Sequence, residues 1–318
     1  MVGTYGYDTA DRLTSVSWSK GGVIAAAAYT LDNVGNRTQR LDGLGTHTYS
    51  YDNLYRLTSV TYPGPSTDTY TYDAVGNRLT KNAATYTHDA ADRLTATGGV
   101  SYGYDNNGNQ ITRGSDTYAW DAEDRMTSAT VGGTSTTFAY NGDGLRNSRT
   151  VGGNTTTFTW DVAQSDPQVL DDGAFKYVYG LGRVAEIGPG TTTHYYLPGG
   201  LGSTMALVDS TGAIVSTYNY DIFGAIRSST GSQANEFQFT GEQVDSSIGL
   251  QFLRARYYDT TTGRFVSKDP LSLSPTLASP DAAYSYASNN PTRFQDPSEL
   301  DKEDDEVNRP GFDGDSDH

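Results

Sequence analysis

The sequence contains no cysteine, so neither a disulfide staple nor a thiolate metal site can be built from it. That absence assigns no compartment, because exported repeat proteins also lack cysteine. Long apolar runs are missing as well. The stretch Val23-Ile-Ala-Ala-Ala-Ala28 falls well short of the ~18 consecutive apolar residues of a membrane span. The N-terminus lacks the charged and apolar regions of a signal peptide. Basic residues are scarce: 22 Lys and Arg against 38 Asp and Glu leave a net charge of −16, which excludes electrostatic binding to nucleic acid or anionic membranes. Only 35% of residues are hydrophobic, low for an ordinary globular core, while Gly (36) and Tyr (24) are abundant. Tyrosine therefore carries much of the burial, each ring offering roughly 150–250 Å² of contact surface with a polar handle at its tip.

What the chain has in place of a conventional core pattern is a repeat. Nine times in the first 161 residues an aromatic, a spacer, a second and usually aromatic residue, and an Asp or Asn follow one another. They begin at Tyr5-Gly-Tyr7-Asp8 and continue at Tyr29–Asp32, Tyr49–Asp52, Tyr70–Asp73, Tyr86–Asp89, Tyr102–Asp105, Tyr118–Asp121, Phe138–Asn141 and Phe158–Asp161. Leu31 and His88 take the place of the second aromatic, and Asn141 that of Asp. Self-similarity at this spacing means an array whose units contact mainly their neighbours. The first unit begins within four residues of Met1, which reads as a fragment of a longer array or a truncated gene.

Side chains alternate along a strand, so aromatic-x-aromatic puts both rings on one face and the Ser, Thr, Gly or Ala spacer on the other. The Asp ends the strand by bonding the backbone two residues on. After Asp8, Asp52, Asp89 and Asp121 an arginine follows at the fourth position. After Asp32, Asp73, Asp105 and Asn141 a glycine stands at the third, three times followed by Asn, and the basic residue moves to the fifth as Arg37, Arg78 and Arg146, with Gln110 once. We read these as two turn classes, one at each edge of an up-and-down ribbon, the glycine supplying positive φ and accommodating one extra residue. The repeat Asp and Arg residues are read as turn and ladder residues. His47, His88 and His194 lie far apart with no second ligand at metal spacing, so no metal or cofactor is expected.

After residue 165 the clean repeat fades. From Tyr195 a denser series follows: Leu201-Gly-Ser203, a hairpin turn at Asp209-Ser-Thr-Gly212, and Tyr220-Asp-Ile-Phe-Gly224, an echo of the glycine class. Then come Phe239-Thr-Gly-Glu-Gln243, Ala255-Arg-Tyr-Tyr-Asp259, Gly263-Arg-Phe265, Asp269-Pro270, Asn289-Asn-Pro291 and Asp296-Pro-Ser-Glu-Leu300. With these motifs, residues 3–300 resemble the Rhs or YD-repeat family shared by bacterial polymorphic toxins, the C components of insecticidal Tc toxins and the animal teneurins. The second half resembles the Rhs-associated core domain that closes such arrays.

The resemblance implies an all-β fold, a YD-repeat ribbon winding into an open or partial shell with tyrosines inside, closed at its C-terminal end by the core domain. The divisions expected are an array at 1–165, a transitional β segment at 166–194, the core domain at 195–300 and an acidic disordered tail at 301–318. In that family the shell encloses a C-terminal effector, and in the Rhs and Tc-toxin branches the core domain is an aspartyl protease acting on its own chain. Carried over, the arginine falls on Arg256, the two aspartates on Asp269 and Asp296, and the scissile bond on Leu300–Asp301. Without the resemblance, an Asp-Pro pair reads as a turn initiator.

Glu299 stands where the family motif has glycine, and a third carboxylate beside the pair would disturb it. Residues 301–318 hold eight acidic side chains against Lys302 and Arg309, too short for a folded toxin domain. Asp313-Gly-Asp315-Ser-Asp317 lacks the full calcium-loop spacing. The function expected is encapsulation of an effector in a larger secreted or cell-surface protein, with self-cleavage after Leu300. The partners are then the chain's own effector segment or further repeats at the exposed N-terminal edge. The alternative is a non-catalytic adhesion module that binds a cell-surface ligand.

Overall fold

Each repeat folds into a hairpin because its aspartate completes the turn by itself. In the computed structural model, which describes residues 1–64, 66–163, 166–270 and 283–296 and the backbone of Glu303–Asp304, Asp8 Oδ1 accepts from the amides of Ala10 and Arg12 at 2.9 and 3.0 Å. The Asp8 amide bonds the Arg12 carbonyl, and the Asp11 amide bonds the Asp8 carbonyl. The same pattern recurs at Asp32, where Val34 and Asn36 supply the amides.

The two turn sequences therefore share one backbone, which corrects our reading of them. The residue before Asp pairs with the fifth residue after it in both kinds, as in Tyr7↔Leu13, Leu31↔Arg37, Tyr51↔Leu57 and Tyr72↔Arg78. No extra residue is accommodated. Both kinds also lie on the same edge of the ribbon, because consecutive Asp turns are separated by two strands and a short turn at the opposite edge, such as Lys20–Gly22. The third position is left-handed in all of them. It is Gly35, Gly76, Gly108 and Gly144 in one kind, and Asp11, Tyr55, Asp92 and Asp124, with φ near 60°, in the other.

What alternates is chemistry. At the fourth position Arg12, Arg56, Arg93 and Arg125 clamp the Asp Oδ2, and Asn36, Asn77 and Asn109 do so with their amides. The fifth position faces inward. It is buried Leu13, Leu57, Leu94 or Met126 in one kind and buried Arg37, Arg78, Gln110 or Arg146 in the other. These inward arginines stand in the ladder, each opening a returning strand, while the arginines at the fourth position serve the turn.

Seventeen antiparallel strands, each paired with the next, run from Val2–Tyr7 to Asn154–Thr157. The first aromatic of most units is buried (Tyr29, Tyr49, Tyr70, Tyr86, Tyr118, Phe138, Phe158). The second is half-buried in most units, and in four of them a 2.8 Å bond runs from its polar tip to the carbonyl of the inward residue one unit earlier. Tyr72 donates to Leu57, Trp120 to Gln110, Tyr140 to Met126 and Trp160 to Arg146, each at 2.8 Å. On the outer face threonines pair across strands, as Thr71 with Thr80 at 2.7 Å and Thr150 with Thr155 at 2.8 Å.

At Phe158 the ribbon bends into a second, eight-stranded sheet that ends at Ile226–Gly231, and a third of four short strands spans Gln243–Asp245 to Arg264–Phe265. The rings of the first sheet close over both. Tyr118, Met126 and Phe138 pack on Ile248, Leu250, Phe252 and Tyr257, and Tyr49, Leu57 and Tyr70 pack on Phe223. Nearly all the regular structure is β, in large antiparallel sheets that do not close into a barrel. Among the described residues the strand Val2–Tyr7 pairs only with Leu13–Ser19, and Tyr7 is exposed there. No helix among the described residues is long and apolar enough to cross a membrane.

Candidate self-cleavage site

Arg256 lies in the third sheet's region, just before the strand Tyr257–Asp259, and its guanidinium sits over Phe265 with 3.6 Å from its central carbon to the ring centre. That stacking fixes the plane of the fork. Its Nη2 stands 3.4 Å from Asp269 Oδ2 and 3.6 Å from Asp296 Oδ2, so one nitrogen reaches both carboxylates. The two aspartates are 27 residues apart, and their meeting at one guanidinium is the geometric content of the site. Arg256 and Asp296 are buried, and Asp269 is partly exposed.

Backbone anchors hold both carboxylates in place. The Asp269 amide donates to the Ala283 carbonyl at 3.0 Å, and Gln295, beside Asp296, belongs to the strand Phe294–Gln295. Tyr286 packs beside Asp296, between Tyr258, Phe239 and Phe265. Burial pushes its hydroxyl far above the ordinary tyrosine range, and the charge of Asp296 adds to that.

Glu299, Leu300 and Asp301 lie outside the described residues, as do most of the residues read as an acidic tail, including Asp313, Asp315 and Asp317. The backbone of Glu303–Asp304, expected in a disordered tail, instead pairs antiparallel with Phe294–Gln295. The chain on the far side of the expected cut thus returns to the strand that carries the site.

Two features escaped the reading of the sequence. A bidentate ion pair joins Arg254 to Glu242 at 2.9 and 2.7 Å, beside a cavity of about 220 Å³ that Gln295 and Thr240 also line. The Phe239–Gln243 motif was the only signal for it. Second, Asp245 and Glu236 receive Arg146 and Arg149 of the array at a seam sealed from solvent at Arg146 and Asp245. Arg146 was visible at the fifth repeat position, but its partner was not.

The histidines serve the structure in ways their spacing did not reveal. His47 approaches Asp42 at 3.2 Å, and His194 approaches Glu186 at 3.2 Å. Burial raises the Glu186 carboxyl above its ordinary value. His88 occupies a second-aromatic position with both ring nitrogens buried and unbonded. Burial and the neighbouring Arg264 hold its pKa down to about 4.

Comparison with known proteins places this architecture. The family model described as Teneurin YD-shell matches residues 44–292. The tRNA nuclease WapA of Bacillus subtilis (strain 168) is 32% identical over 299 residues, covering 92% of this chain and 11% of the relative. Toxin protein Tse5 of Pseudomonas aeruginosa is 34% identical over 100 residues, covering 31% of this chain and 7% of Tse5. The chain thus spans about a tenth of the length of the WapA relative. The Photorhabdus luminescens Tc holotoxin pore superposes with a TM-score of 0.75 at 19% identity over 99% of this chain and 18% of that one. A TcdB2-TccC3-TEV crystal structure gives 0.74 at 19% identity, over 93% of this chain and 18% of that one.

Proposed function

The chain belongs to the teneurin YD-shell family, and on that premise we propose that it is the shell-and-plug segment of an Rhs-type toxin-delivery protein, which encloses an effector and cuts its own chain after Leu300. The observation that carries the cleavage reading is the convergence of Asp269 and Asp296 on Arg256 Nη2.

Two carboxylates sharing one site divide into an acid and a base. The ionised one takes a proton from water as the oxygen attacks the Leu300 carbonyl carbon. The protonated one gives its proton to the Asp301 nitrogen as the C–N bond breaks. The new Leu300 carboxyl passes its remaining proton to the Asp301 amine, so a carboxylate and an ammonium result, and the pair is left with one proton. Arg256 holds both carboxylates in place through this exchange.

The 220 Å³ cavity is far too small for a folded effector. Enclosure then falls to a longer shell, built by further repeats laid along Val2–Tyr7, the first strand of the ribbon. The relatives named as toxins support a secreted setting.

The test is an intact mass of the purified chain. A species ending at Leu300, absent from Asp269→Asn and Asp296→Asn, is expected. A wild-type chain that stays whole at every pH between 4 and 8 sinks the cleavage reading. Binding of the chain to cells through its threonine face would then favour adhesion.

A further inference from the structure

Between Asp269 and Asp296 the chain lays a strap, residues 283–293, across the edge of the ribbon that carries the Asp turns. The strap touches alternate turns. Tyr284 donates its hydroxyl to the Gly108 carbonyl at 2.8 Å. Asn289 Nδ2 donates to the Gly76 carbonyl at 2.9 Å. Asn290 Nδ2 donates to Asn36 Oδ1 at 2.8 Å, and Arg293 Nη1 to the Val34 carbonyl at 2.6 Å. Thr292 completes the seat, with its hydroxyl donating to Asn290 Oδ1 at 2.7 Å and standing 2.6 Å from Tyr51 Oη. The turns that receive the strap are the three carrying Gly-Asn: Gly35-Asn36, Gly76-Asn77 and Gly108-Asn109.

Free in solution the strap would not hold this shape. Ala287, Ser288 and Asn289 are all left-handed, with φ of 49°, 51° and 60°. For residues with a Cβ, Ala287 and Ser288 above all, that conformation is disfavoured, and three in a row persist only where the surroundings over-determine them. The bonds to the ribbon edge supply that determination. The ends of the strap carry the chemistry: the Asp269 amide is bonded to Ala283, and Asp296 follows Gln295 three residues beyond Arg293.

We propose that the strap residues Thr292, Asn290 and Tyr284 are positioning residues, through which the Gly-Asn turns of the array set Asp296 against Asp269 and Arg256. The proposal deepens the cleavage reading and rests on it. The site is then assembled by the wound array and not by the core domain alone, so the chain is cut only once the ribbon turns from Asp32 to Asn109 are in place.

Two variants of the full chain separate a hydrogen-bonding role from a packing role. Thr292→Val keeps the volume and removes the hydroxyl. Thr292→Ser keeps the hydroxyl and removes a methyl group. Two readouts are taken on each: cleavage rate by intact mass, and amide hydrogen exchange of peptides covering 283–296. Thr292→Val is expected to slow cleavage at least tenfold and speed exchange across 283–296, with exchange elsewhere unchanged, while Thr292→Ser stays within twofold of wild type in both. A Thr292→Val chain that matches wild type in exchange and rate overturns the proposal, and so does a Thr292→Ser chain as impaired as Thr292→Val. If wild type never cleaves, the cleavage reading fails on its own evidence. Unchanged exchange in Thr292→Val would then overturn the strap's role separately, and faster exchange would uphold its hold on Asp296.

Discussion

Arg146 of the array and Asp245 of the third sheet form an ion pair from which solvent is excluded on both sides. The guanidinium also donates to Tyr257 and Gln243, and its carbon lies 4.1 Å from the centre of the Phe252 ring. Asp245 takes Arg149 on its other oxygen. One carboxylate thus binds two arginines of the ribbon wall, Glu236 supplies the second negative charge through Arg149, and the third sheet is fastened there by charge as well as by rings.

Removing that carboxylate should be severe. Asp245→Asn leaves the buried Arg146 guanidinium uncompensated and is expected to destabilise by about 3–5 kcal/mol, read as a fall in the denaturant midpoint. The paired change Arg146→Met with Asp245→Leu should recover most of the loss, because replacing both partners with apolar groups removes the unpaired charge.

His88 gives a pH prediction. Its folded pKa of about 4 lies below the ordinary 6.5, so the unfolded chain binds the proton more readily. The neutral-His contribution is fully present above pH 6.5 and is lost as pH falls towards 4. We expect a loss of roughly 1 kcal/mol across that window, discounted for a half-buried site. His88→Tyr should remove this slope and add about 1 kcal/mol by returning a hydroxyl to the carbonyl of Arg78, as Tyr72 does at Leu57. Urea midpoints at pH 5 and pH 7.5 check both statements.

Gly108 and Gly144 share a left-handed backbone, with φ of 94° and 81°, yet only one is crowded. A Cβ at Gly108 would lie 2.5 Å from Tyr284 Oη, whereas at Gly144 nothing stands within 4 Å. Gly144→Ala should therefore lose only the cost of positive φ, about 1 kcal/mol. Gly108→Ala should lose more, and thermal unfolding of the two variants side by side tests the difference.

Glu299→Gly restores the residue that the family motif calls for. Under the proposed self-cleavage it should raise the rate by an order of magnitude or more, followed by intact mass over time. A rate below that of wild type would show that Glu299 assists the cut.

The ribbon was legible in the sequence because its rules are local. Aromatic alternation, the Asp turn and the inward fifth position each depend on residues within a few positions of one another. The difference between the two turn sequences was legible too, but its meaning was not. It looked like a difference of turn length because glycine is the usual sign of an altered backbone. Tyr55 and the aspartates at 11, 92 and 124 adopt the same left-handed φ without it. Glycine is there at 108 to let Tyr284 approach, a contact made across 176 residues. Asp245 was invisible for the same reason, lying 99 residues from Arg146. Asp269 and Asp296 were named only through the family motifs, since each alone reads as a corner before proline.

The strap's grip on every second turn gives the ribbon a parity. Displaced by two units it would meet glycines again, but displaced by one it would meet Asp11, Tyr55 or Asp92 in place of glycine, and at Gly108 a Cβ alone would lie 2.5 Å from Tyr284 Oη. Units can therefore be gained or lost in pairs without disturbing how the plug is seated, while a single unit more or less would leave it out of phase with its own wall.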